Sequence, residues 1–397
     1  MSWRNRNQTG VVVWLTLVFM LLVTTLVLRT GMPQRNPQQA AQLDTLVILA
    51  RTQQALLAYA LQPLGLTMCG SNCPRPGDLP CPDRNNDGVA ESRCDGPGQR
   101  LGRLPWKTLG LGDVRDASGE RLWYAVSDQY KNNPRLLPLN VDTPGSWSLT
   151  DMRSGQHWHA ETGQGLVAVL IAPMQPLVRA DGLVQRRTVN HLELAQHFLD
   201  RLQDLDNAAA IEFTSTGFVM GASAQQFNDI VWPVLATAIH QVMQQQVLSE
   251  VVRAIQCSVP PCANSLQSAA MTDSSCLSAL SLVAGSCRPA TGGIGRLPLD
   301  AQAHWPLASE HVLDGAARHH WFQQNGWREH VLWLPATGQV LLILGGETLA
   351  GQARVSDADK AGLPAYLELS TLQTWLLSPT GGLDVPANDR SAVVTLP

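Results

Sequence analysis

The sequence predicts an α+β fold: a membrane-spanning N-terminal helix that continues outside the bilayer, then two tandem modules, each a helix on a small antiparallel sheet with disulfides. Three observations predict it. A nearly unbroken apolar run follows a short basic leader, eight cysteines fall into two separated sets of four, and the chain repeats itself at a fixed spacing. With 397 residues, 45% of them hydrophobic and 15% charged, there is material for two ordinary domains and little composition that favours disorder. The net charge of −4 and the scattering of the lysines and arginines argue against nucleic acid as a partner.

Residues 1–10 form the basic leader, with Arg4 and Arg6 ahead of the run Val11–Leu28, which carries no charge. Eighteen helical residues rise about 27 Å, close to the hydrocarbon thickness of a bilayer, so residues 11–28 are long enough to span one and to meet lipid. The basic residues before the run put its start in the cytoplasm and the bulk of the chain outside it, although Arg29 and Arg35 weaken that asymmetry. A cleaved signal peptide is the competing reading, but the run exceeds a usual apolar signal core and no small-x-small site follows it. Residues 29–62 extend the helix. Within them Gln38–Gln62 shows an apolar face of Ala40, Leu43, Val47, Ala50 and Leu57, interrupted by Gln54.

The first head module is placed at 63–222 and the second at 223–380. Cys69, Cys73, Cys81 and Cys94 stand in the first, and Cys257, Cys262, Cys276 and Cys287 in the second. An even number per set outside the cytoplasm reads as disulfides, with three connectivities open within each set. A four-thiolate zinc site competes, but neither set has the C-x2-C knuckles of structural zinc. The repeat sets the module boundaries: Thr162-Gly163-Gln164 recurs as Thr337-Gly338-Gln339 at an offset of 175, where Leu166–Val169 lies on Leu341–Leu344, Arg179 on Arg354 and Leu192–Leu194 on Leu367–Leu369. Upstream, Gly102-Arg103-Leu104-Pro105 recurs as Gly295-Arg296-Leu297-Pro298.

The second module's helix is expected from about Pro233 to Gln256, with proline tolerated in its first turn. Strands are expected at Arg121–Val126, Gly165–Ile171, Val331–Leu334 and Gln339–Leu344; the runs at 165–171 and 339–344 are apolar throughout, as in central strands covered on both faces. The stretch 381–397 reads as a frayed, flexible tail.

The candidate site is the loop Asp83-Arg84-Asn85-Asn86-Asp87-Gly88. Asp83, Asn85 and Asp87 occupy positions 1, 3 and 5 of an EF-hand-like calcium loop, with Gly88 at the sharp turn, the Val89 carbonyl at 7 and Glu91 at 9. Position 12 is Cys94 instead of a bidentate glutamate, so a partial calcium site or a self-bonded Asx turn are the two readings. His157-Trp158-His159 and His319-His320-Trp321 lack the helical spacing of zinc ligands and read as rim packing. No nucleophile elbow, phosphate loop or dinucleotide fingerprint occurs, so no enzyme is expected, and apart from calcium no cofactor. Trp305, Trp321, Trp327 and Trp333 in the second module fill a core or, if exposed, form a binding surface.

A basic leader ending in Gly10, an apolar helix starting at Val11, its continuation outside the membrane and a compact disulfide head together resemble type IV pilin-like and type II secretion pseudopilin-like bacterial proteins. The segments Leu79-Pro80-Cys81-Pro82-Asp83 and Leu104-Pro105-Trp106-Lys107-Thr108-Leu109-Gly110-Leu111 are further similar to a group of uncharacterised pilin-like heads. The resemblance implies prepilin-type cleavage between Gly10 and Val11, a single-pass inner-membrane location with a periplasmic or extracellular head, and other pilin or pseudopilin subunits as partners. Pro33 stands near where pilin helices often kink. Leu15 departs from the family, which usually carries a glutamate at the fifth mature position; subunits without it resemble tip pseudopilins. An unprocessed single-span periplasmic binding or envelope-interaction protein is the alternative.

Overall fold

The structure is a computed structural model and describes residues 8–31, 37–61, 75–133, 138–158, 165–188, 194–209, 217–221, 227–256, 277–278, 281–282, 295–296, 322, 325–336, 339–349, 351–360, 365–367 and 389–395. It divides into two units, Met1–Asp44 and Thr45–Pro397.

The first unit holds α1 (Gln8–Gly31) and the start of α2 (Pro37–Ala60). Both Gly10 and Val11 lie within α1. The hydroxyls of Thr24 and Thr25 donate to the carbonyls of Met20 (2.7 Å) and Leu21 (2.8 Å), so these two polar side chains of the apolar run are satisfied inside their own helix. Among the described residues no helix is long and apolar enough to cross a membrane. The side chains at 14–25 of α1 are exposed.

The second unit carries β1 (Leu101–Arg103), β2 (Trp123–Val126), β3 (Leu149–Asp151), β4 (His157–Trp158), β5 (Leu166–Ala172), β6 (Arg201–Leu202), β7 (Leu205–Asp206), β8 (Phe218–Met220) and β9 (Ile230–Leu235). Then come α3 (Ala236–Gln256), β10 (Leu277–Ser278), β11 (Ser281–Leu282), β12 (Gly295–Arg296), α4 (Trp327–His330), β13 (Val331–Ala336), β14 (Gln339–Leu344), α5 (Asp357–Lys360) and β15 (Arg390–Thr395). Two four-stranded antiparallel sheets dominate, ordered β1-β2-β5-β9 and β12-β13-β14-β15. The α+β class and the small antiparallel sheets are thus as the sequence predicts.

The duplication is visible in the ladders. Gly102 faces Tyr124 and Gly295 faces Trp333, so the glycine-arginine landmark opens each sheet as an edge strand. Gly102 is required there, because a Cβ would stand 2.7 Å from the Asp83 carbonyl oxygen. The register differs from the expected offset of 175: Tyr124 pairs with Leu170 and Trp333 with Leu342, which equates Leu170 with Leu342 at an offset of 172. A run of aliphatic residues slides on itself without penalty in sequence, whereas backbone pairing fixes one register. Arg179 and Arg354 nevertheless play one part in both copies. Each is buried, and each donates to backbone carbonyls, of Gln196 and Leu199 (3.3 Å each) and of Ala365 (2.5 Å) and Gly346 (2.8 Å).

Five expectations are corrected. The buried stripe of α2 is Thr45, Leu49, Thr52, Leu56 and Ala60, whereas Leu43 and Val47 of the expected face are exposed. Apolar and polar residues are interleaved round this helix without one dominant face, which leaves the choice of face to tertiary contacts, and Thr52 is accommodated because its hydroxyl donates to the Ile48 carbonyl (2.8 Å). Pro233 does not open a helix; it sits in β9 opposite Val169, at a sheet edge where a missing N–H is tolerated, and α3 begins at Ala236. The first copy therefore extends through β9, past the expected boundary at 222. Within the expected tail, β15 pairs along β14 from Gln339↔Thr395 to Leu344↔Arg390, with Val394 buried.

The fifth correction concerns the tandem arrangement. One core cluster runs through Leu49 and Leu56 of α2, Tyr124, Val126 and Leu170 of the first sheet, Ile239, Met243 and Val247 of α3, and Trp327, Leu342 and Val394 of the second copy. Helix α3 packs on β9, β14 and β15 and so meets both sheets. The two copies share one interior, because neither small sheet with a single helix encloses enough apolar surface by itself. The far face of the first sheet has a second cluster, in which Trp123, Val169 and Ile171 pack on Leu149, Phe198 and Phe218, so β5 is buried on both faces as its apolar run predicts.

Candidate functional site

The loop at 83–91 is built by its own side chains. Asp83, fully buried, accepts the amide of Asp87 on Oδ1 (3.2 Å) and that of Gly88 on Oδ2 (2.6 Å). Asn85 Oδ1 accepts the Asp87 amide (3.0 Å), and Asp87 Oδ1 accepts the Val89 amide (2.7 Å). Glu91 Oε1 accepts the Arg84 amide (3.2 Å). The contacts of Asp83, Asn85 and Asp87 are turns that short polar side chains make with backbone two to five residues on, while Glu91 reaches back seven residues to close the loop. Asn86 and Gly88 take the left-handed conformation, with φ of 64° and 88°, and a Cβ at Gly88 would lie 2.5 Å from the Trp106 ring.

Cationic side chains already occupy the outward carbonyls. Lys107 Nζ donates to the Asp87 carbonyl, and Arg121 Nη1 donates to both the carbonyl and the side-chain oxygen of Asn86 (2.8 Å each). Arg121 also grips Asp113 through Nε (2.7 Å), which holds the Asp113 carboxyl below the usual range. Burial raises the Asp83 carboxyl, opposed by the amides of Gly88, Asn86 and Asp87. Among the described residues no group of three or more His, Cys, Asp or Glu is arranged to hold a metal ion.

The loop is stitched to the rest of the head at both ends. The Cys81–Cys94 bridge closes it, with both cysteines buried and their Cα atoms 5.7 Å apart. Cys69, Cys73, Cys257, Cys262 and Cys287 lie outside the described residues, as does Cys276. The Asp83 amide donates to the Arg103 carbonyl (2.9 Å) and the Arg103 amide to the Asp83 carbonyl (2.6 Å), while Lys107 donates its amide to Gly88 (2.8 Å) and Thr108 accepts the Ala90 amide (2.8 Å). Residues 83–90 and 103–108 therefore form one clasp, which overlaps both of the segments singled out in the sequence, 79–83 and 104–111. Arg103 is sandwiched over Trp123 (4.3 Å) and Phe198 (3.9 Å), and burial pushes its guanidinium down to about 9.

A polar seam between the copies was not visible in the sequence. Asp142 of the first copy accepts Arg354 Nη1 (2.8 Å) and the Thr348 hydroxyl (2.9 Å) on Oδ1, and Oδ2 lies 3.4 Å from His330 Nε2. Asn325 Oδ1 accepts Arg75 Nη1 (3.2 Å) and the Leu139 amide (2.8 Å). His240 of α3 lies between Glu347 Oε1 (2.6 Å) and the Tyr130 hydroxyl (2.8 Å). The repeated arginine was the one available signal, since Arg354 anchors this seam. A second buried network joins Asp200 and Asp229, each accepting the other's amide (3.0 and 2.8 Å); burial raises both carboxyls, Asp229 further through the charge of Asp200.

Of the remaining candidates, His157 is exposed on β4 with Nδ1 3.0 Å from the Thr150 hydroxyl, and His159, His319 and His320 lie outside the described residues. Trp327 is fully buried in the shared core, Trp333 is a paired residue of β13, and Trp305 and Trp321 lie outside the described residues. No family model, curated protein or solved structure matches the chain.

Proposed function

We propose that the chain is a membrane-anchored, pilin-like subunit, acting structurally or at the tip of a type IV pilus or type II secretion pseudopilus, and that it is not an enzyme. In this reading residues 11–28 of α1 are the inner-membrane anchor, and the unit from Thr45 onward is a periplasmic or extracellular head that meets other pilin or pseudopilin subunits. The observation that carries the reading is the order of parts: an apolar 24-residue helix, then a second 24-residue helix whose buried stripe enters the core of an antiparallel sheet, then a disulfide-closed loop clasped to that sheet's edge strand. Leu15, where a glutamate is usual, favours the tip position, since a subunit with nothing ahead of it has no amino terminus to pair. The 83–91 loop serves as a calcium-independent clasp, because its inward oxygens accept backbone amides and its outward carbonyls accept Lys107 and Arg121.

Intact-mass and N-terminal analysis of the chain made in a bacterial host carrying a prepilin peptidase tests the reading. A mature chain that begins at methylated Val11 is the expected result, and an intact Met1 overturns assembly by the pilin route.

A further inference from the structure

Asp200 and Asp229, 0% and 5% exposed, stand next to residues that cover the outer face of the first sheet, Asp200 after Phe198 and Leu199 and Asp229 ahead of Val231. Asp200 accepts three N–H donors: the amides of Asn228 (2.6 Å) and Asp229 (3.0 Å) on Oδ2, and Gln185 Nε2 (2.8 Å) on Oδ1. Asp229 accepts two, the Asp200 amide (2.8 Å) and Asn207 Nδ2 (2.9 Å), and both fall on Oδ2. Asn207 in turn exchanges hydrogen bonds with the backbone of Val219 in β8. The Oδ1 atom of Asp229 is buried and has no partner among the described residues.

Counter-charge is missing as well. Among the described residues neither carboxyl forms an ion pair: Arg179 is engaged with Asp206 (2.5 Å) and Asp181 (3.2 Å), and Arg187 with Glu120 (3.4 Å). Two neighbouring carboxyls taken out of water with no cation against them avoid double ionisation by keeping a proton. The donors decide which one keeps it. A carboxylate spreads its charge over both oxygens; Asp200 has N–H groups on both, whereas ionised Asp229 would leave part of its charge on a bare, buried oxygen. As an acid, Asp229 gives its carbonyl oxygen to both donors and carries the proton on Oδ1.

We infer that Asp200 and Asp229 hold one proton, resident on Asp229, and that this acid-set pair fastens the outer cover of the first sheet to the entry of β9. Loss of the proton to solvent leaves two carboxylates facing each other across the amides they exchange, and the fastening weakens. Burial raises both carboxyls, and the charge of Asp200 raises Asp229 further, with Arg187 opposing at each. A group protonated in the folded chain and ionised in the unfolded one contributes stability in full below the ordinary aspartate range, about pH 4, and loses it as pH climbs toward its folded value. The other charged or titratable groups of this cover are Arg179, Asp181, Arg186 and Arg187 of the 178–187 turn, His197, and Arg201, Asp204 and Asp206, with Glu120 and Arg103 beyond Arg187. The inference rests on neither the membrane nor the pilin reading.

Carbon-13 NMR of the full chain, labelled at the aspartate carboxyls and titrated from about pH 4 to about pH 8, tests the pair residue by residue. Asp229 is expected to keep its protonated shift at about pH 6, roughly two units above where free aspartate changes charge, with Asp200 ionised there. An ionised Asp229 at about pH 6 overturns the proposal. Asp229→Asn gives a second measure, because its carboxamide can offer oxygen to both donors and turn its NH2 to the side that has none. In urea its folding equilibrium is expected to gain on that of the unmutated chain as pH rises, by up to about tenfold per pH unit. A ratio that stays constant, or moves toward the unmutated chain, overturns the proposal too. If Asp229→Asn does not fold, the carboxyl spectrum of the unmutated chain decides alone.

Discussion

The clasp at 79–94 and the seam at Asp142, His240 and Arg354 are both polar, and they are satisfied in opposite ways. In the clasp the side chains of Asp83, Asn85, Asp87 and Glu91 accept amides no more than seven residues away. In the seam the Arg354 and Thr348 partners of Asp142 are more than two hundred residues distant. Local closure makes a turn that forms wherever its sequence is placed. Distant closure makes contacts that exist only when both copies are folded, so the seam, and not the better-marked loop, makes the duplication one body.

Three substitutions test that contrast. The largest effect is expected for Arg354→Ala, which removes the buried partner of Asp142 and leaves the Ala365 and Gly346 carbonyls without their guanidinium. A loss of about 3–5 kcal/mol is the usual scale for breaking a buried pair on one side, and urea denaturation is expected to show both sheets destabilised together. Loss of one sheet alone would restore the picture of independent modules. Asp83→Ala comes next, at about 1–3 kcal/mol for leaving the buried Gly88 amide unpaired, while the Asp87 amide keeps Asn85 Oδ1. Melting with added calcium and with a chelator should give the same temperature for the unmutated chain; a calcium-dependent rise that Asp83→Ala abolishes would restore the metal reading. Arg121→Ala is expected to cost less than about 1 kcal/mol, since its pair with Asp113 is partly solvated, and hydrogen exchange should show faster amides at 85–89 with the rest of the head unchanged.

The fold class, the paired sheets and the double burial of β5 were legible, because hydrophobic runs and turn residues act over short stretches, whereas cysteine spacing left three connectivities open in the first set, of which the structure shows the Cys81–Cys94 bridge. The buried face of α2 was not legible. Leu43 and Val47 are as apolar as Leu49 and Leu56, and only the neighbours decide which pair is covered. Pro233 misled for a related reason, since proline suits a helix start and a sheet edge equally and the β5 pairing settles the matter. At the candidate site Lys107 and Arg121, which reach the loop from 20 and 35 residues away, had no local signature. The same holds for His240 and Glu347, which are unremarkable in sequence until α3 and the end of β14 bring them to 2.6 Å.

The pairing of β15 with β14 sets a timetable for synthesis. Helix α3 rests on β9, made before it, and on β15, made long after it, so half of its apolar surface waits for a strand that the ribosome has yet to deliver. During that interval Ile239, Met243 and Val247 lack part of their final cover, and the shared core cannot close until residues 390–395 arrive. A chain arrested just before Arg390 leaves that apolar surface of α3 without its β15 cover.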